Sequence, residues 1–200
     1  MKIVGIAGGS GSGKSTLAKQ LVEKYLDKIE TINLDKYKIS STNKADFPLV
    51  NGMVDWDNPS ITRWQKLLNN IKTLQNGTPV TIEIRSVLKP QELVYIKTKL
   101  HTIYPKEILI IDGYLSLWHK ELRRFYIRKY FLLLDQKTRF QRRDKIVDFD
   151  YDKEIHVPAH NKYVEPTKKF ADLVLDASKL NVNQVFEEVE EDLKKSDLLK

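Results

Sequence analysis

The stretch of sequence that decides the fold is Gly8-Gly9-Ser10-Gly11-Ser12-Gly13-Lys14-Ser15-Thr16. Its spacing is G-x-x-x-x-G-K-S, in which the glycines let the backbone curl until several N–H groups point at phosphate oxygens. The lysine of such a loop reaches the β- and γ-phosphates, and the serine after it offers a hydroxyl to Mg²⁺. The sequence therefore predicts a triphosphate-binding loop with these contacts: Gly9, Ser10, Gly11, Ser12, Gly13, Lys14, Ser15 and Thr16.

The segments on either side of this loop fit a strand and a helix. Residues 2–7 form a short apolar run of the kind that makes a buried parallel strand. Residues 17–26 place apolar side chains at 17, 18, 21, 22, 25 and 26, which is helical spacing. The helix would begin at Lys14 and turn its positive end toward the phosphates. This order favours a phosphate-binding loop over a glycine- and serine-rich turn that matches by chance.

Composition limits the class of protein. The 200 residues, 41% of them hydrophobic, suit one domain over residues 1–200 with a full core and a frayed tail at 194–200. The absence of cysteine excludes disulfides and thiolate catalysis. No apolar run approaches the roughly 18 residues of a membrane span, and the first strand begins at once, so we expect a cytoplasmic protein without a membrane partner.

The net charge of +7 suits either nucleic acid or polyphosphate ligands. The basic residues are not interleaved with aromatic residues as in a nucleic-acid-binding stripe, so we expect no nucleic-acid partner. The sequence leaves open whether the chain forms a homo-oligomer.

A second strand is predicted at residues 29–34, and Asp35 follows it directly. The carboxyl ends of strands in an open α/β sheet face the ligand crevice, so Asp35 would lie level with the γ-phosphate. The residue could serve as a general base for an acceptor hydroxyl or as a Mg²⁺ ligand. The alternative is an aspartate that caps a turn.

Residues 38–58 are interpreted as a surface loop, followed by a helix that Ser60 could cap and that ends at Asn76-Gly77. Asp57, just before this helix, is either a turn residue or a ligand for ribose hydroxyls. The alternation of residues 79–85 predicts a strand that pairs with one starting near residue 93 and continuing to Ile103.

The remaining strands and helices complete an α/β pattern. Residues 108–112 predict a strand buried on both faces and ending in Asp112, which would hold Mg²⁺. Residues 115–126 predict a helix, residues 129–135 and 172–176 predict strands, and residues 181–193 predict a closing helix. Together these elements predict a parallel β-sheet flanked by helices on both faces, with a β-hairpin appendage over the acceptor site.

The arginines of residues 137–145 have two interpretations. Arg139, Arg142 and Arg143 could form a solvated basic face. They could also belong to a lid at about residues 136–165, whose guanidinium groups neutralise the charge of the transferred phosphate.

These motifs together resemble those of the uridine kinase and phosphoribulokinase-like family of P-loop kinases. The resemblance covers nearly the whole chain and rests on the phosphate loop and five further segments: Leu34-Asp35-Lys36-Tyr37, Trp56-Asp57-Asn58-Pro59, Thr102-Ile103-Tyr104-Pro105 with Asp112-Gly113, Arg139 to Arg143, and Glu165-Pro166-Thr167-Lys168-Lys169-Phe170-Ala171-Asp172. It implies the P-loop NTPase fold and an ATP- and Mg²⁺-dependent phosphorylation of a nucleoside 5′-hydroxyl, on uridine or cytidine.

The resemblance also implies roles for individual residues. Asp35 matches the catalytic base that also contacts Mg²⁺, with Lys14 as its partner in catalysis, and Asp112 matches a metal-associated glutamate. Asp57 matches the residue that holds the ribose, and Arg143 the second arginine of a pair that faces the acceptor. Tyr37, within the Leu34-Asp35-Lys36-Tyr37 segment, is assigned to the acceptor site as well.

The departures from the family pattern fall on substrate recognition. The family reads the pyrimidine base with two aromatic residues and a histidine in the hairpin, whereas here Arg85 and Val87 replace the aromatics and no histidine matches. The lid after Arg143 is also short. A nicotinamide riboside kinase, a kinase for another small alcohol, and a nucleotide-binding regulator without kinase activity therefore stay as alternatives.

Overall fold

The computed structural model describes residues 1–89, 94–143 and 149–199; for residues 85–89, 94–98, 143 and 149 it describes the backbone alone. The strands are β1 Lys2–Gly8, β2 Ile29–Asn33, β3 Leu49–Val50, β4 Met53–Val54, β5 Val80–Lys89, β6 Val94–Ile103, β7 Ile108–Asp112, β8 Arg128–Leu133 and β9 Leu173–Asp176. The α-helices are α1 Lys14–Lys24, α2 Trp64–Gln75, α3 Lys120–Arg123, α4 Gln136–Arg143, α5 Phe149–Tyr151, α6 Val157–Ala159 and α7 Val182–Lys195.

Five strands form a parallel sheet in the order β2-β7-β1-β8-β9. β1, which leads into the phosphate loop, lies at the centre between β7 and β8. The ends of β1, β2 and β7 therefore meet at one edge, with Asn33 directly opposite Asp112. This register brings the predicted site residues of the two strands to the same place.

Both faces of the sheet are covered, as the apolar strands predict. Alternate residues of β7 point in opposite directions: Leu109 and Ile111 join a core built with α2 and residues 114–126. Ile108 and Ile110 join a second core built with α1 and α7. The architecture is thus the predicted α/β sheet with helices on both faces.

Charged groups fasten α7 to its neighbours. Arg128 donates two hydrogen bonds to Asp192, at 2.8 and 2.5 Å, and the hydroxyl of Tyr130 donates a third at 2.7 Å. Beyond the helix, Leu199 is 2% exposed and belongs to the second core. The tail is therefore packed as far as Leu199, in contrast to the fraying expected for residues 194–200.

Several predicted elements are corrected. Residues 115–126 are not one helix: residues 114–118 form turns, and only Lys120–Arg123 is α-helical. The segment predicted as a surface loop carries the β3–β4 hairpin, and Phe47 and Val54 form a small core with Ile61.

The predicted cap at Ser60 is also wrong. The side chain of Asn58 accepts from the backbone N–H of Ser60 and caps a 3₁₀ turn at Pro59–Ile61. Helix α2 begins later, at Trp64.

The hairpin is present as predicted. β5 and β6 pair in antiparallel register, from Val80 with Ile103 up to Lys89 with Val94. β5 lies against the 3₁₀ turn Leu34–Tyr37, which carries Asp35. Within the described residues, no helix has the length and apolar character needed to cross a membrane.

Candidate active site

The phosphate loop joins β1 to α1 and owes its shape to glycines. Gly8, Gly11 and Gly13 have φ values of 145°, 80° and 93°, a region that L side chains rarely adopt. Gly13 precedes the first residue of α1, so the loop ends at the positive end of that helix. The arrangement suits an anion held by backbone N–H groups.

Lys14 is buried at the start of α1. Its Nζ donates a hydrogen bond to the carbonyl of Gly9 at 2.8 Å. Burial lowers the pKa of Lys14 to about 8, although the negative charges of Asp35 and Asp112 oppose the shift. The amine therefore lies within electrostatic reach of both carboxylates.

Ser15, Asp112 and Asn33 form a hydrogen-bonded group at the ends of three elements. The hydroxyl of Ser15 donates to Oδ2 of Asp112 at 2.7 Å, and the amide of Asn33 donates to the same oxygen at 3.0 Å. Burial raises the pKa of Asp112, and the bonds from Ser15 and Asn33 and the charge of Lys14 oppose that shift. Asn33 was not predicted, although its place at the end of β2 was a usable signal.

The Ser15–Asp112 pair has the donors that a magnesium site needs. Mg²⁺ prefers oxygen ligands and takes one or two protein groups together with phosphate oxygens and water. Within residues 1–89, 94–143 and 149–199, no group of three or more His, Asp or Glu side chains is arranged to hold a metal alone. The oxygen atoms of Ser15 and Asp112 thus fit a metal ion that is shared with a phosphate ligand.

Asp35 sits in the 3₁₀ turn after β2. Its backbone N–H donates to Oδ1 of Asn33 at 3.0 Å, which fixes the turn. Its carboxylate is 59% exposed and lies 3.0 Å from Nζ of Lys38. Burial alone would lower the pKa of Lys38, but the negative charges of Asp35 and of nearby carboxylates outweigh burial, so the pKa is raised.

Tyr37 does not face the crevice, contrary to its predicted role with the acceptor. The side chain is 1% exposed and lies in the core, where the amide of Asn70 donates to its hydroxyl at 2.9 Å. Its carbonyl accepts from the backbone N–H of Arg63. Tyr37 therefore supports the turn that carries Asp35.

Asp57 is held by the segment that follows α4. Its Oδ2 lies 2.8 Å from Nδ1 of His156 and accepts from the hydroxyl of Tyr151 at 3.3 Å. The backbone N–H of Asp57 donates to Oδ1 of Asp55 at 3.1 Å. The residue thus combines a turn contact with a carboxylate oriented by the side chains of Tyr151 and His156.

Arg139 and His160 cover the phosphate loop. A Cβ on Gly9 would lie 2.7 Å from Cδ of Arg139 and 3.1 Å from Cε1 of His160, so the missing side chain leaves room for both. His160 is 6% exposed, and its pKa is lowered to about 3 by burial, with help from the positive charges of Arg139 and Lys14. The ring is therefore neutral.

Three residues of the predicted lid segment were not predicted as site residues: Tyr151, His156 and His160. The two histidines are four residues apart in a helical run and both pack on Tyr114, with ring centroids at 5.5 and 6.2 Å. Histidines at this spacing inside a predicted lid were a usable signal. The contact of His156 with Asp57, which is 99 residues away in the chain, had no signal in the sequence.

Arg142 lies on the other side of the phosphate loop. It donates to the carbonyls of Gly11 and Ala177 at 3.4 and 3.3 Å. A small pocket opens beside it, lined by Ser12, Gly13, Leu17, Gln20, Leu132, Ala177, Leu180, Val182 and Val185. Arg85 in β5 and Arg143 at the end of α4 have side chains outside the described residues, so their predicted roles stay predictions.

Comparison with known proteins points to one family of kinases. The model of the "Phosphoribulokinase / Uridine kinase family" matches residues 3–184. The uridine kinase of Chlamydia pneumoniae is 29% identical over 185 residues, covering 88% of this chain and 81% of that protein. The uridine kinase of Clostridium novyi is 27% identical over 187 residues, covering 86% of each.

A solved structure, described as a possible uridine kinase from Bacillus stearothermophilus, has a TM-score of 0.63. The match covers 88% of both chains at 18% identity, which supports the fold. The family model, by contrast, spans nearly the whole sequence from β1 into α7. This chain is therefore a P-loop kinase that belongs to the Phosphoribulokinase / Uridine kinase family.

Proposed function

We propose that the protein transfers the γ-phosphate of ATP to the 5′-hydroxyl of a nucleoside, with uridine or cytidine as the first acceptors to test. The observation that carries the proposal is the position of Asp35. The negative charge of its carboxylate raises the pKa of both Lys14 and Asp112, so the three groups are close to one another. The Asp35 side chain is nevertheless 59% exposed. A base at the edge of the phosphate site that remains open to a second substrate suits proton removal from an acceptor alcohol.

In this proposal the acceptor oxygen bonds to the γ-phosphorus while the bond from that phosphorus to the β–γ bridging oxygen breaks. Asp35 takes the hydroxyl proton and ADP leaves. Lys14 and the N–H groups of the loop stabilise the charge on the phosphate oxygens. Ser15 and Asp112 would hold Mg²⁺, which neutralises phosphate charge when it is bound.

Asp57 supports a ribosyl acceptor. Tyr151 and His156 orient its carboxylate, whose charge raises the pKa of Lys38 together with that of Asp35, and carboxylates accept hydrogen bonds from hydroxyls. The chemistry of this site fits nicotinamide riboside equally well, because that compound carries the same ribose.

The replacement of Asp35 by asparagine tests the proposal. We expect Asp35→Asn to fold and bind ATP normally but to lose about 10²- to 10⁴-fold in kcat, because the amide cannot accept the proton. Turnover is measured by mass spectrometry of products formed from ATP·Mg²⁺ with uridine, cytidine and nicotinamide riboside.

The matched control is Asp27→Asn, at an exposed position outside the site, which should leave kcat unchanged. Equal turnover in Asp35→Asn and the unaltered protein would contradict the assignment of the base. ATP binding without phosphorylation of any acceptor would favour a regulator.

A further inference from the structure

His156 is a buried histidine with one nitrogen engaged and one not. It is 3% exposed, and its Nδ1 lies 2.8 Å from Oδ2 of Asp57. Because a carboxylate only accepts hydrogen bonds, we assign the proton of this bond to Nδ1. In the neutral ring Nε2 then carries a lone pair, and among the described residues it has no hydrogen-bond partner.

The surroundings of His156 connect Asp57 to the phosphate loop. Its ring stacks on Tyr114 at 5.5 Å, and one turn further on His160 packs on the same tyrosine. His160 in turn lies over Gly9. His156 thus contacts the residue that would hold the acceptor, and His160, which packs on the same tyrosine, lies over the loop that would hold the donor.

The backbone around His156 is irregular. Asp152–His156 and His160–Val164 are π-helical turns on either side of α6. Such turns are uncommon and occur frequently at functional sites. A buried polar nitrogen left without a partner is unfavourable, which gives a second indication that a ligand group belongs there.

We propose that His156 reads the acceptor together with Asp57, its Nε2 accepting a hydrogen bond from one hydroxyl of a ribosyl group while the Asp57 carboxylate accepts one from the neighbouring hydroxyl. This inference rests on the proposed function. Two acceptor atoms side by side match a vicinal diol, whose two hydroxyls both donate. They do not match a phosphate or carboxylate group at this position, since those groups only accept.

The variant His156→Asn tests the roles of the two ring nitrogens separately. The asparagine amide can still donate to Asp57 in place of Nδ1, but nothing occupies the position of Nε2. We expect the KM for uridine to rise about tenfold, the size typical of one lost hydrogen bond. The KM for ATP should change less than about twofold, because the phosphate loop is untouched.

Deoxynucleosides identify the hydroxyl. With uridine, 2′-deoxyuridine and 3′-deoxyuridine as acceptors, the unaltered protein should discriminate against both deoxy compounds. His156→Asn should lose about tenfold of that discrimination for one of them and keep it for the other, whose missing hydroxyl faces Asp57. Unchanged discrimination against both would overturn the proposal.

Two further variants serve as controls for a purely structural role of His156. His119→Asn, at a half-buried histidine that stacks on Trp64, is the matched control and should leave both KM values unchanged. His156→Gln carries an amide oxygen to the position of Nε2 and should raise the KM for uridine less than His156→Asn does. An equal rise in both variants would mean that His156 only packs the lid, and would overturn the proposal.

The outcomes also distinguish the two proposals. Turnover of uridine with the same KM in His156→Asn and the unaltered protein overturns this inference and leaves the proposed function standing. No turnover of any nucleoside by the unaltered protein overturns the proposed function and this inference with it.

Discussion

The amine of Lys14 is buried beside two carboxylates, and these surroundings set the pH range in which it is charged. Burial lowers its pKa from 10.5 to about 8. The amine is therefore mostly protonated below pH 8 and loses its proton above that value, well before a lysine in water would. Because phosphate prefers the charged amine, binding above pH 8 requires the uptake of a proton.

We expect the affinity for Mg²⁺·ATP to be constant between pH 7.5 and about 8 and then to fall by up to about tenfold per pH unit. Dissociation constants measured by calorimetry from pH 7.5 to 9.5 test this. Lys14→Met should bind more weakly and lose the pH dependence. A constant affinity across this range in the unaltered protein would contradict the role of Lys14.

Residues whose place in the fold depends on local spacing could be predicted from the sequence, and contacts between distant parts of the chain could not. The phosphate loop, Asp35 and Asp112 follow strands that are recognisable from their apolar runs. Tyr37 stands two positions after Asp35 but points into the core, because a 3₁₀ turn places neighbouring side chains on different sides.

At the scale of the element, the segment 115–126 shows how apolar spacing can mislead. Leu115, Leu122 and Tyr126 are all buried, as a helix would have them. The hydroxyl of Ser116 instead donates to the carbonyl of Ile111 and pairs with the hydroxyl of Tyr126. These bonds hold the chain in turns directly after β7 and compete with helix formation.

Helix α7 is fastened by Asp192, which accepts from Arg128 and Tyr130. We expect Asp192→Asn to lower the free energy of unfolding by about 2–3 kcal/mol, because the partly buried arginine loses its charge partner. Urea unfolding at pH 7 measures the change. Glu191→Gln is the control: its ion pair with Lys195 is exposed, so its loss should cost less than about 0.5 kcal/mol.

The pH dependence of this contribution has a defined sign. The hydrogen bonds from Arg128 lower the pKa of Asp192 in the folded protein below its usual value near 3.8. The stabilisation is therefore complete above that value and disappears as the pH falls through the lower folded pKa. Equal stability of Asp192→Asn and the unaltered protein at pH 7 would contradict the anchoring role.

At the scale of the whole molecule, the end of the chain is part of the core on the α1 and α7 side of the sheet. Leu199 is 2% exposed, whereas Leu26, at the start of the turn after α1, is 60% exposed. We expect Leu199→Ala to destabilise the protein by about 2 kcal/mol and Leu26→Ala by less than about 0.5 kcal/mol. Thermal unfolding of both variants tests this, and equal midpoints would indicate a tail that does not pack.

The central place of β1 in the sheet has a consequence for synthesis on the ribosome. Lys2 pairs with Ile108 and Val4 with Arg128, so β1 finds its two neighbours in the sheet only after more than 100 further residues have been translated. At about 5–20 residues per second, the phosphate loop waits roughly 5–25 s for the strands that flank its own. A nascent chain that stops before residue 108 therefore leaves both edges of an apolar strand unpaired. Such an intermediate is one that chaperones would recognise.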